Sequence, residues 1–121
     1  MLIYKICHAA EWTEAEGGGA YTGSAKDRAD GFLHFSTAEQ VRGTLERYYS
    51  GASDLVLLAV DPLPLGPALK FEPSSGGALY PHLYGTLPLT AVRWAKPIRR
   101  SANGGFLLPQ EFTLPWDARP G

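Results

Sequence analysis

The sequence predicts an α+β domain in which two helices pack on a β-sheet. Residues 54–61 form an almost unbroken apolar run between two aspartates, which is typical of a central strand covered on both faces. Apolar residues recur at helical spacing in 9–16 and again in 37–50, and strand-forming residues dominate 91–98. With 121 residues, 45% of them hydrophobic and 19% charged, the chain has the size and composition of one globular domain with a single core.

In the first part of the chain, the pattern predicts a strand, a helix and a polar loop. Residues 2–7 alternate as a strand, and Lys5 lies on a face with apolar neighbours, where a lysine needs a partner or a route to water. The helix over 9–16 packs through Trp12 and ends at the three glycines that follow. Residues 21–30 have no clear period, and we predict a polar loop there that forms a lid or rim beside a pocket.

The stretch 31–37 joins a short strand to the start of the main helix, which is predicted over 37–50. Phe32 and His34 share one face of that strand. Capping-box spacing, in which side chains satisfy the first backbone donors of a helix, occurs in two pairs: Ser36 with Glu39, and Thr37 with Gln40. His34 is therefore expected beside a helix N-terminus, whose free N–H groups can receive an anion.

Proline shapes the prediction for the middle of the chain. The prolines in 62–67 predict a non-helical connection, and 68–72 alternates as a half-buried strand with Phe71 on its apolar face. Residues 79–85 have little periodicity, and Pro81 favours an edge strand or an irregular segment there.

The last predicted strand is 91–98, and a C-terminal extension follows it. The residues of this strand that are expected to point inward are Val92, Trp94 and Ile98. We predict a single globular domain over 1–100 and an extension over 101–121, docked through Phe106-Leu107-Leu108 or through Trp116.

The charge balance and the single cysteine argue against several classes of protein. Eleven basic and 12 acidic residues give a net charge of −1, which does not support nucleic acid as a partner. Cys7 alone cannot form an internal disulfide. No apolar run approaches the roughly 20 residues of a membrane-spanning helix, and the start lacks a signal-peptide pattern. We therefore expect a cytoplasmic protein without a membrane partner.

Five polar residues stand among apolar neighbours and are the candidates for chemistry: His34, Glu72, His82, Lys5 and Tyr84. Histidine and glutamate can act as general acids or bases near neutral pH. Each also has a structural interpretation: an interior histidine bonded to backbone, a glutamate paired with a lysine, a packing tyrosine. Two histidines and a glutamate could form a facial metal site, but no zinc-type spacing is present, and we predict no metal.

The chain resembles one family through two histidine-containing motifs. They are Gly31-Phe32-Leu33-His34-Phe35-Ser36-Thr37 and Tyr80-Pro81-His82-Leu83-Tyr84-Gly85. Further matching segments are Ile3-Tyr4-Lys5-Ile6, Trp12, Gln40-Val41, Thr44, Asp54-Leu55-Val56-Leu57-Leu58 and Glu72. The family is the bacterial and plant domain of unknown function 952, and the resemblance covers residues 2–98. It implies a fold similar to that of the ADP-ribosyltransferases: a split, strongly bent mixed β-sheet with two α-helices.

The resemblance also implies a function. The chain would be a nucleotide- or NAD-binding, ADP-ribosyltransferase-like protein that acts on a phosphorylated or nucleotide substrate. The nearest pattern is that of the RNA 2′-phosphotransferases, whose second histidine motif matches His34-Phe35-Ser36. His34 would orient ribose or pyrophosphate, and His82 would serve as general acid/base or anion binder. Glu72 would stabilise an oxocarbenium-like cation. The residues expected to contact the cofactor are Lys5, Ser36, Thr37 and Tyr84.

Lys5 departs from the resembled pattern, in which a histidine follows the tyrosine of the first strand and holds the nicotinamide ribose. A lysine there can hold a phosphate instead, which counts against NAD. A non-enzymatic module that binds a nucleotide or phosphometabolite is therefore an alternative, and a purely structural domain is a third. Both the enzyme and the binding module require that His34 and His82 border one cleft.

Overall fold

The computed structural model describes residues 1–74 and 76–114. The helices and strands in chain order are β1 (Ile3–His8), α1 (Ala9–Gly18), β2 (Ala20–Tyr21), α2 (Ala25–Asp30), β3 (Leu33–His34), α3 (Val41–Tyr48), β4 (Leu55–Val60), β5 (Leu69–Pro73), β6 (Leu79–Leu83), β7 (Leu87–Pro88), β8 (Val92–Arg100) and β9 (Phe106–Leu107). Short 3₁₀ turns cover Ala38–Gln40, Leu63–Ala68 and Leu89–Ala91.

A four-stranded antiparallel sheet in the order β1-β4-β8-β9 forms the centre of the domain. Every residue of β4 is buried, because β1 and β8 flank it and apolar layers cover both of its faces. The central strand predicted over 54–61 is confirmed. The alternation predicted for β1 is confirmed as well: Ile3 and Cys7 enter one layer, whereas Tyr4 and Ile6 enter the other.

Two smaller sheets complete the β-structure, β3-β6-β5 and β2-β7. All strand pairs among the described residues are antiparallel, so the prediction of a mixed sheet is wrong. A bridge between Tyr4 and Ser36, with two backbone hydrogen bonds of 2.8 Å, joins the four-stranded sheet to the end of β3. The result is an α+β fold with a bent antiparallel sheet.

The prediction that Pro81 marks an edge or irregular segment is wrong. β6 is the middle strand of its sheet, and Pro81 is fully buried within it. A proline is tolerated there because the partner strand β3 is only two residues long and ends before it reaches Pro81. Proline has no N–H to donate, and its carbonyl accepts a hydrogen bond from the Phe35 N–H. Phe71, expected on a buried face of β5, is 43% exposed.

The structure has an additional α-helix, α2, where the sequence predicted a polar loop. α2 begins at a capping box: the Ser24 hydroxyl accepts from the Asp27 N–H, and the Asp27 carboxylate accepts from the Ser24 N–H. The loop prediction for 21–30 is therefore wrong. The sequence pattern did not predict this helix because α2 has only six residues and no apolar stripe. The preceding Gly23 has a φ of +112°, and a Cβ there would lie 2.9 Å from the Asp27 Cβ.

The other helices follow the prediction with shifted ends. α1 continues through Gly17 and Gly18 and ends at Gly19, which adopts the left-handed conformation. The helix predicted over 37–50 starts as a 3₁₀ turn and becomes α3. Of the two candidate capping pairs, Thr37 and Gln40 form the contact: the Thr37 N–H donates to the Gln40 side chain at 3.0 Å.

Two connecting regions differ from the prediction. The prolines between β4 and β5 do not prevent 3₁₀ turns, although Gly66, at a φ of +60°, interrupts them. In β8, a bulge shifts the register so that Val60 pairs with Val92 and Ala59 with Trp94. Val92 therefore packs in the layer of Ile3, whereas Trp94 and Ile98 pack in the opposite layer.

The start of the predicted C-terminal extension packs on the sheet. Phe106 and Leu108 contact the layer that contains Tyr4, which confirms their docking, while Leu107 is half exposed. Trp116 lies outside the described residues. Within 1–74 and 76–114, no helix has the length and apolar character needed to span a membrane.

Leu57→Ala should reduce the free energy of unfolding by about 2–5 kcal/mol, because Leu57 is fully buried in β4 and the truncation leaves a cavity. Urea unfolding followed by circular dichroism measures the loss. The matched control is Leu63→Ala, at a leucine that is 84% exposed, and it should change stability little. Equal effects of the two variants would contradict the assigned core.

Candidate functional site

The buried carboxylate of Asp27 connects three elements of the fold. Its Oδ2 lies 2.9 Å from the Lys5 ammonium on β1, and its Oδ1 accepts from the Nδ1 of His34 on β3 at 2.6 Å. The backbone N–H of His34 donates to the same Oδ1 at 3.1 Å, and the Ser24 N–H donates to Oδ2. With this many donors, Asp27 holds α2, β1 and β3 together.

These contacts determine the charges of Asp27 and Lys5. Burial of Asp27 opposes ionisation, but the hydrogen bond from His34 and the charge of Lys5 outweigh it and lower the pKa of the carboxyl well below its usual 3.8. The Lys5 side chain is 4% exposed, and Asp27 is its hydrogen-bond partner. The predicted need of Lys5 for a partner is confirmed.

His34 lies between two carboxylates. Its Nδ1 contacts Asp27, and its Nε2 lies 2.9 Å from the Oδ2 of Asp30. The hydrogen bond from Lys26, followed by that from His34, holds the pKa of the Asp30 carboxyl below its usual value, so both carboxylates are acceptors. The imidazolium form, with a hydrogen on each nitrogen, satisfies both contacts. A ligand can accept a hydrogen bond from the Nε2 of His34 only if it displaces Asp30.

His82 has a different environment from His34. Its Nδ1 lies 2.8 Å from the Oε1 of Glu72, which also accepts from the Tyr84 hydroxyl at 2.7 Å. The hydrogen bonds from Tyr84 and His82 lower the pKa of the Glu72 carboxyl, which is therefore ionised and fixes the hydrogen on Nδ1. Among the described residues, the Nε2 of His82 has no hydrogen-bond partner, and it is not sealed from solvent.

The two imidazoles are neighbours because of strand register. His34 pairs with His82 across β3 and β6, and their ring centroids are 5.7 Å apart. Phe32 stacks on His82 at 4.1 Å and also contacts His34 and Tyr84. These aromatic contacts restrict the orientation of both histidines.

Both histidines border one cleft of about 170 Å³. Its described lining residues are Tyr4, Lys5, Ile6, Ser24, Lys26, Asp27, His34, Phe35, Ser36, Thr44, Arg47, Tyr48, Tyr49, Ser74, Tyr80 and His82. Two lysines and one arginine thus line the cleft with a single carboxylate, that of Asp27, and four tyrosines line it as well. Burial raises the pKa of Tyr49 to about 12, so its phenol stays neutral.

The cleft brings together four of the seven predicted site residues. Lys5, His34, Ser36 and His82 border it, and the Ser36 hydroxyl bonds the Thr44 hydroxyl at 3.1 Å. Glu72 and Tyr84 are not among the lining residues: Glu72 contacts His82, and Tyr84 contacts Glu72. Thr37 caps the turn before α3 and is not a lining residue. Among the described residues, no cluster of three or more histidine, cysteine, aspartate or glutamate side chains could hold a metal.

Sequence reasoning missed Asp27, Lys26 and the tyrosines. For Asp27 the signals were present: Ser24 and Asp27 have capping-box spacing, and a buried Lys5 requires an acid. Nothing in the local sequence relates Tyr48, at the end of α3, or the following Tyr49 to this cleft.

A family model described as "Protein of unknown function (DUF952)" matches residues 6–95. The chain is similar to the protein CC0527 from Caulobacter crescentus in three solved structures. A crystal structure shares 45% sequence identity with a TM-score of 0.83 and covers 88% of this chain and 94% of that chain. A solution NMR structure shares 46% identity with a TM-score of 0.77 and covers 86% and 90%. No curated protein matches the chain.

Asp27→Asn should destabilise the protein by about 3–5 kcal/mol, because it leaves the Lys5 ammonium buried without a counter-charge. The stabilisation by Asp27 is fully present above the ordinary carboxyl pKa of 3.8 and is lost as pH falls below it, because the folded-state pKa is lower. Urea unfolding at several pH values should show this acid-dependent loss in the wild type and a weaker one in the variant.

The control is Asp61→Asn, which breaks a contact with Arg93 that is exposed on the arginine side. It should change stability little. If Asp27→Asn behaves like Asp61→Asn, Asp27 does not connect the three elements.

Proposed function

Since the chain belongs to the DUF952 family of proteins of unknown function, we propose a function from the geometry of its cleft. The cleft binds a nucleotide or another small phosphorylated ligand, and His82 performs acid/base chemistry on it. The observation that carries this proposal is the charge of the cleft. Lys5, Lys26 and Arg47 line it together with one carboxylate, although the whole chain has a net charge of −1.

The tyrosines support a nucleotide rather than a bare anion. Tyr4, Tyr48, Tyr49 and Tyr80 line the same cleft as the cations. Aromatic side chains offer faces on which a base can stack, and such stacking is tolerant of base identity. Tyr48 is 61% exposed and is therefore open to an incoming ring.

His82 is the residue best placed for proton transfer. Its Nδ1–H is held by Glu72, so the lone pair of Nε2 is available to accept the proton of a ligand hydroxyl in the cleft. When Nε2 accepts that proton, the carboxylate of Glu72 stabilises the resulting imidazolium. His34 cannot share this role while both of its nitrogens donate to carboxylates. Its part in the proposed site is to hold an anion.

The described residues do not fit a whole NAD molecule. Lys5 stands where the resembled pattern has a ribose-binding histidine, and its ammonium is bonded to Asp27. We therefore derive no step through NAD and favour a mononucleotide or a phosphometabolite of similar size.

A non-enzymatic binding module is the second candidate. The ion pair of Lys5 and Asp27 favours it, because a lysine fixed in this way can attract an anion but cannot exchange protons as an imidazole does. This module would use the same cleft and the same cations, and His82 would contact the ligand without reacting.

AMP should raise the melting temperature of the protein, because a ligand at about 100 times its Kd adds about 2.7 kcal/mol of stability. His34→Ala and His82→Ala should each reduce the ligand-induced shift. The matched control is His8→Ala, because His8 does not line the cleft. Thermal shift assays with AMP, ADP-ribose and NAD measure the effect. Unchanged shifts in both cleft variants would refute the site.

Phosphorus NMR of the protein with each of these compounds separates the two candidates. New phosphorus resonances that disappear in His82→Ala would support acid/base chemistry. An unchanged spectrum with a bound ligand would support the binding module. Nicotinamide release from NAD would contradict the conclusion that NAD does not fit.

A further inference from the structure

Two cationic donors at the rim of the cleft converge on one oxygen atom. The Nε2 of His34 and the Nζ of Lys26 lie 2.9 Å and 3.1 Å from the Oδ2 of Asp30. His34 and Lys26 both line the cleft, whereas Asp30 is not among its lining residues. The donors thus belong to the cleft, and the acceptor comes from the last residue of α2.

We propose that His34 and Lys26 form an anion subsite that takes a phosphate group, and that the Asp30 carboxylate occupies it in the ligand-free protein. Asp30 is then an internal competitor, and the incoming phosphate replaces it. This inference rests on the proposed function for the nucleotide part of the ligand, but the subsite itself requires only a phosphate.

Asp27 fixes the orientation of His34 in this arrangement. The ionised Asp27 accepts from both the Nδ1 and the backbone N–H of His34, and its other contacts with Lys5 and Ser24 hold the carboxylate in place. Nε2 therefore points toward the position of Asp30, and in the imidazolium form it donates an N–H to the group bound there. A group bound there must be an acceptor, and a negative charge is favoured over a neutral one.

Asp30 is free to leave, unlike Asp27. Its side chain is 38% exposed, and Lys26 and His34 are its hydrogen-bond partners within residues 1–74 and 76–114. Exposed ion pairs contribute little free energy, so exchanging the carboxylate for another anion costs little. A phosphate monoester carries about 1.5 to 2 negative charges at neutral pH and three acceptor oxygens, so it can satisfy both donors at once.

The test is the affinity of Asp30→Asn and Asp30→Ala for inorganic pyrophosphate and for AMP, measured by isothermal titration calorimetry. Removing the competitor should tighten pyrophosphate binding by about two- to fivefold, which corresponds to the strength of an exposed ion pair. Lys26→Met should weaken it. The matched control is Glu16→Gln, which removes one exposed negative charge from α1, away from the cleft. It should leave the affinity within the error of the measurement.

The outcomes separate this inference from the proposed function. Tighter pyrophosphate binding in both Asp30 variants, with no gain for AMP over pyrophosphate, supports the subsite and refutes the nucleotide proposal. AMP binding to the wild type that is equal or weaker in the Asp30 variants supports the nucleotide proposal and overturns the subsite. An equal gain in Glu16→Gln, or no binding of either probe to any variant, also overturns the subsite.

Discussion

The fold of the site depends on one buried charge pair, Lys5 with Asp27. An ammonium on the central sheet is far from water, and it is stable there only because α2 brings a carboxylate to it. That carboxylate then fixes His34 through both a side-chain and a backbone contact. The Asp27 carboxylate therefore neutralises the buried charge of Lys5, anchors the six-residue helix α2 and orients the imidazole of His34 at the cleft.

Sheet bending determines what else surrounds the cleft. The bridge between Tyr4 and Ser36 brings β1 against the end of β3, so that residues of two sheets face each other. Antiparallel pairing of β3 with β6 then places His82 next to His34. The two imidazoles differ because their acceptors differ: two carboxylates for His34, and one for His82. The division of labour that we propose, between anion binding and proton transfer, rests on these contacts rather than on the sequence motifs.

The elements with a strong apolar period could be predicted from the sequence. The central strand, the two faces of β1 and the capped helix start all depend on residues within a few positions of one another. α2 could not be found this way, because its one buried side chain, Asp27, is an acid that a pattern treats as exposed. The strand that contains Pro81 was mispredicted as an edge strand for a similar reason. A proline fits this middle strand because β3 is short, and the length of β3 cannot be read from the residues around Pro81. The shared cleft of His34 and His82 was expected from the motifs, but Lys26, Arg47, Tyr48 and Tyr49, which also line it, lie outside them.

The division of labour between the two histidines can be tested most directly by nitrogen-15 NMR of the imidazoles in the ligand-free protein. We expect both nitrogens of His34 to take part in hydrogen bonds, because carboxylate oxygens of Asp27 and Asp30 lie within hydrogen-bond distance of them. For His82 we expect hydrogen on Nδ1 and a lone pair on Nε2. A neutral His34 with a free nitrogen, or a His82 with its hydrogen on Nε2, would contradict the account.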